Sequence, residues 1–67
     1  MVKVKDLSEL KDGQRIRFVT NINHSEKYGD LMSPVHVVRI VDGIVCGVNK
    51  VWKTVMVLSE CQSVYRI

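Results

Sequence analysis

From Val35 to Leu58 the chain reads VHVVRIVDGIVCGVNKVWKTVMVL, runs of β-branched residues separated by two pairs of turn residues. The first pair, Asp42-Gly43, is a strong signal for a two-residue hairpin, because both positions of such a turn need φ above zero. A two-residue loop there sets Val41 opposite Ile44, Arg39 opposite Cys46 and Val37 opposite Val48. A second two-residue loop at Asn49-Lys50 sets Val48 opposite Val51, Gly47 opposite Trp52 and Cys46 opposite Lys53. The two registers are mutually consistent and predict a three-stranded meander.

The flanking segments carry shorter versions of the pattern. Val2-Lys3-Val4-Lys5 alternates apolar and basic residues and predicts a short first strand. Asp6 with Glu9 three residues on, and Leu7 and Leu10 to one side, predicts a capped single helical turn closed at Asp12-Gly13. Gln14 to Asn21 predicts a strand with Ile16 and Phe18 on one side and Arg15, Arg17 and Val19 on the other. Ile22 to Ser33 is polar and, at twelve residues, long for a connection in a compact domain. Such loops are usually functional or disordered. Leu31 and Met32 are expected to tuck its far end back onto the sheet. Pro34 opens the next strand, where its missing N–H does least harm. Glu60 to Ser63 is expected as a turn, and Val64 to Ile67 as a short closing strand.

Following the registers, one face of the meander carries His36, Val38, Ile40, Val45, Gly47, Asn49, Trp52, Thr54, Met56 and Leu58. This set holds the large side chains and is expected to fill the core, with Trp52 lying over Gly47. The other face carries Val35, Val37, Arg39, Val41, Ile44, Cys46, Val48, Val51, Lys53, Val55 and Val57. A solvent-facing sheet surface normally turns polar. Here it does not, so the valine-rich face is expected to be covered by the loop, the helical turn, a second copy of the chain or a partner.

Composition sharpens the fold class. Thirteen valines, five isoleucines and no alanine favour sheet over helix at the level of local preference. Sixty-seven residues make one domain, 1–67, with one modest core. A chain of that length buries only about 60% of the surface its unfolded form exposes. Ten basic against seven acidic side chains give a net charge of +3, which permits a nucleic acid or an acidic partner without demanding either. Cys46 and Cys61 are too few for a disulfide-stapled scaffold and are expected as reduced thiols. No stretch approaches the ~20 apolar residues of a membrane span, and the first ten residues lack the apolar run of a signal peptide. The expected location is therefore the cytoplasm, of a cell or of a virus-infected cell, without membrane contact. The sequon Asn23-His24-Ser25 is then read as chance.

The candidate chemistry is sparse. His24, His36, Cys46 and Cys61 are each separated by at least nine residues, whereas structural zinc sites gather ligands in close pairs. Cys46 falls mid-strand, where a thiol usually acts as a small hydrophobe. Cys61 lies near a turn with nothing to activate its thiolate. No Gly-rich phosphate loop, paired-carboxylate motif or nucleophile elbow is present. The expectation is a non-enzymatic protein without metal, cofactor or small-molecule substrate.

Binding has more support. Arg15 and Arg17 project together from one strand, Lys3 and Lys5 do so at the N-terminus, and Arg39 and Lys53 are expected to flank one cross-strand row. Small β-barrels pair such basic faces with aromatic platforms for bases, here Tyr28, Trp52 or Tyr65. The plain alternative is ordinary solvated charges with Trp52 in the core. Protein binding competes through the valine-rich face, as a homodimer or a docking surface, and through His24, Lys27 and Tyr28 of the loop. The helical turn, the Asp-Gly corner and five short strands resemble the layout of SH3-like barrels. The OB-fold is a poorer match, since Asn49-Lys50 leaves no space for a helix between its third and fourth strands. The sequence thus predicts an all-β, five-stranded, SH3-like barrel with one helical turn near its N-terminus. Its expected role is to contact nucleic acid with little sequence preference through Lys3, Lys5, Arg15, Arg17, Arg39 and Lys53. The competing role is a small protein-binding regulator or inhibitor of the kind viruses encode, acting through residues 22–33 and the valines.

Overall fold

In the computed structural model the fold is described for residues 1–20 and 32–67. Six antiparallel strands form one sheet: β1 (Val2–Lys3), β2 (Arg15–Thr20), β3 (His36–Val41), β4 (Ile44–Asn49), β5 (Thr54–Val57) and β6 (Cys61–Arg66). Their order across the sheet is β1-β6-β2-β3-β4-β5, so the sheet is open, with β1 and β5 at its edges. The all-β expectation is met, with six strands rather than five. A 3₁₀ turn at Leu7–Glu9 follows β1, and Asp6 caps it by accepting from the Ser8 N–H at 2.9 Å. That hydrogen bond holds the Asp6 carboxyl below the usual carboxylate range.

The first hairpin follows its turn chemistry. Asp42 and Gly43 have φ of 50° and 77°, the left-handed pair of a type I′ loop. Val41 faces Ile44, Arg39 faces Cys46 and Val37 faces Val48, as the pattern predicts. The second turn differs. Asn49 pairs with Thr54, Val48 with Val55, Gly47 with Met56 and Cys46 with Val57, which leaves the four residues 50–53 as the loop. Asn49 closes it by accepting the Trp52 N–H at 2.9 Å, while its own Nδ2 donates to the Val35 carbonyl at 2.9 Å. An asparagine anchored at both ends favours the wider turn over the two-residue one. The shift is four positions, an even number, so Val55 and Val57 still share a face with Val48.

A second 3₁₀ turn, Leu58–Glu60, carries the chain from the β5 edge to β6, which begins at Cys61 rather than at Val64. There it lies between β1 and β2, with Phe18 opposite Val64 and Arg17 opposite Tyr65. Val4, Leu10, Ile16, Phe18, Val38, Leu58 and Val64 form the buried core, with Leu7, Val45, Met56 and Cys61 packed against it. Each large side chain so buried stabilises the fold by roughly 1.5–3 kcal/mol. The core face is the one expected, but Trp52 is not in it. A Cβ on Gly47 would already lie 3.2 Å from both Ile16 Cδ1 and Leu58 Cδ2, so these two side chains occupy the space over the glycine. Trp52 stands in the loop, 68% exposed.

Candidate functional site

Charge is sorted by element in this fold. The five described carboxylates, Asp6, Glu9, Asp12, Asp42 and Glu60, all lie outside the strands, in turns, in 3₁₀ segments or, for Asp6, at a 3₁₀ cap. No described strand residue is Asp or Glu, while the strands carry Lys3, Arg15, Arg17, Arg39 and Arg66. Two of the carboxylates are committed to backbone: Asp6 to Ser8, and Asp12, whose Oδ1 accepts from the Ile40 N–H at 2.9 Å.

Four of the strand cations share the outward face. Lys3 and Arg17 both lie opposite Tyr65, one from each side, giving a cross-strand row Lys3–Tyr65–Arg17. Arg17 is half-buried, and its Nε donates to the Ser33 carbonyl at 2.7 Å, which steadies the guanidinium. Ser33 is itself tied to the strand: its N–H donates to the Phe18 carbonyl at 2.7 Å, and its hydroxyl accepts from the Phe18 N–H at 2.9 Å. Arg15, two residues along β2 and exposed, begins the next row, Arg15–Val37–Val48–Val55. Arg39, on β3 and exposed, lies beside Cys46 and Val57. Arg66 is opposite Ile16 and belongs to the inward face, where its Nε is buried without a hydrogen-bond partner.

Register separates the remaining expected cations. Lys53 does not oppose Cys46. It sits in the β4–β5 loop at φ 53°, so Arg39 and Lys53 flank no common row. Lys5 is exposed in the bend beyond β1. His24, Lys27 and Tyr28 lie outside the described residues. The residue that sequence reasoning underweighted is Tyr65, offered only as one of three platforms. Its position between two cations depends on β6 pairing with β1 on one side and β2 on the other, which no local pattern encodes.

Two of the concavities formed by the described residues adjoin the β3-β4-β5 meander. One, of about 460 Å³, is walled by Trp52, Pro34, Met56, Phe18 and Val55 and has His36 and Thr54 on its lining. The His36 ring is fully engaged, with Nδ1 2.8 Å from the Pro34 carbonyl and Nε2 2.8 Å from the Thr54 hydroxyl. Its ring also meets Phe18 edge-on at a centroid distance of 4.6 Å. The other, of about 400 Å³, opens on the outward face between Val35, Val37, Val48 and Val51, with Arg39 and Lys50 at its rim. Both cysteines are free. Burial, aided by the neighbouring Glu60 charge, pushes the Cys61 thiol up to about 11, the opposite of what a nucleophile needs. Among the described residues no three His, Cys, Asp or Glu side chains come together as a metal site, and no helix is long and apolar enough to cross a membrane.

Comparison with protein-family models, with curated proteins and with solved structures returned no match to this chain.

Proposed function

We propose that this protein is a non-enzymatic binding module that contacts nucleic acid through the outward face of its sheet, with little sequence preference. The observation that carries the reading is the sorting of charge. A six-stranded sheet with four outward cations and, among the described residues, no strand carboxylate offers phosphates an attractive surface free of opposing charge within its strands. Tyr65 between Lys3 and Arg17 adds an aromatic ring inside that surface. We also read the layout as SH3-like. In support, β2, a long connection, the β3-β4-β5 meander, a 3₁₀ turn and a final strand returning beside β2 follow one another in that order.

A salt titration of fluorescence anisotropy with short labelled oligonucleotides tests the function. Micromolar binding at low salt is expected, falling steeply as salt rises and lost in the Arg15→Ala/Arg17→Ala double variant. No detectable binding at low salt would overturn the reading.

A second reading has its own observation. The apolar part of the outward face includes Val55, 68% exposed, and Val51, 88% exposed, beside the valine-lined concavity. An apolar surface of this kind suits a protein partner or a homodimer, and a small regulator or inhibitor acting there, together with residues 22–33, is the alternative function.

A further inference from the structure

The outward cations are not scattered but follow one stepped path across three successive rows of the sheet. Lys3 on β1 and Arg17 on β2 stand two strand spacings apart, about 10 Å, with Tyr65 of β6 midway. Arg15 lies about 7 Å further along β2. Arg39 is one strand over and two residues on from Val37, the partner of Arg15, and so about 8 Å beyond it. To one side of this path the face becomes apolar: Val37, Val48 and Val55 complete the Arg15 row, and Val57 lies beyond Cys46 in the next.

From this path we infer that the ligand is single-stranded nucleic acid. Its backbone tracks Lys3, Arg17, Arg15 and Arg39, one base stacks on the Tyr65 ring, and the valine shoulder takes apolar base surface. The inference rests on the nucleic-acid reading above and narrows it. A duplex offers two phosphate backbones to a surface with a single path of cations, and its bases are already stacked, so Tyr65 finds no free π-face. A single strand supplies both the one backbone and the unstacked base. The valines, which have nothing to offer a phosphate, can cover the face of a splayed base.

The test compares a labelled single strand of about a dozen nucleotides with the blunt duplex of the same sequence, using the full chain. The single strand is expected to bind at least about tenfold tighter, with a slope of log K against log salt near −3 for about four phosphate contacts. Tyr65→Leu is expected to weaken the single strand about five- to a hundredfold and leave the duplex unchanged, while Tyr65→Phe, which keeps the ring, retains the affinity. In the unaltered protein, the Tyr65 ring resonances are expected to move upfield on adding the single strand, so the test does not depend on any variant folding. Duplex bound as tightly as single strand, Tyr65→Leu weakening both alike, or ring resonances that stay put would overturn the single-strand inference and leave the nucleic-acid reading standing. Failure to bind either ligand at low salt would overturn both.

Discussion

His36 occupies a place where a sheet core usually holds an aliphatic side chain. It is 2% exposed, and its neighbours on the inward face are the Ile16 with which it pairs and Phe18. Burying an imidazole is tolerable here because both ring nitrogens have partners. The Pro34 carbonyl only accepts, so Nδ1 carries a hydrogen, and in the neutral ring Nε2 is left to accept from the Thr54 hydroxyl. One side chain thereby ties the entry to β3 to the start of β5. His36→Leu fills the space but leaves a carbonyl and a hydroxyl unpaired. Urea denaturation is expected to show a loss of about 1–3 kcal/mol. A loss under 0.5 kcal/mol would mean that water replaces both hydrogen bonds.

At the level of elements, the two hairpins show what local sequence encodes and where it stops. Asp42-Gly43 was legible because the requirement is local: two consecutive left-handed residues, and a pair of residue types that accept them. Gly43→Val puts a β-branched side chain at φ 77°, and thermal or urea unfolding should register about 1–2 kcal/mol of destabilisation. An unaffected midpoint would mean the turn rearranges without strain. Asn49-Lys50 looked equally like a tight turn, but Asn49 is occupied by two demands, the nearby Trp52 N–H and the distant Val35 carbonyl. The second of those partners lies fourteen residues away, beyond the reach of any turn rule. The same limit applies to β6. Its start at Cys61 depends on Leu58 plunging into the core as a 3₁₀ turn, and a single leucine after a valine run does not announce that.

For the whole molecule, the outward face divides into a cationic part over β1, β6 and β2, extended onto β3 by Arg39, and an apolar part over the rest of β3, β4 and β5. The individual arginines were visible in the sequence. Their alignment was not, because the β1-β6-β2 pairings join residues far apart in sequence, from Thr20 with Cys61 to Val2 with Arg66. The apolar part is testable apart from any ligand. Val55→Lys, at an exposed position on the β5 edge, is expected to leave stability within about 0.5 kcal/mol of the parent. It should also lower the binding of an apolar dye and any self-association seen by equilibrium sedimentation. An unchanged dye signal would place the sticky surface elsewhere. A sheet that is apolar on both sides also raises a question of uniqueness. When a strand slips by one residue its two faces exchange, and hydrophobicity penalises that little if valine stands on either side. Gly47 supplies the missing discrimination. The place under Ile16 and Leu58 is tighter than an ordinary Cβ contact, so a side chain there makes one of those neighbours shift by a few tenths of an ångström. A slip of one residue would press Cys46 or Val48 into it, and a slip of two would bring Val45 or Asn49. One absent side chain therefore favours the observed alignment of β4 over its slipped neighbours.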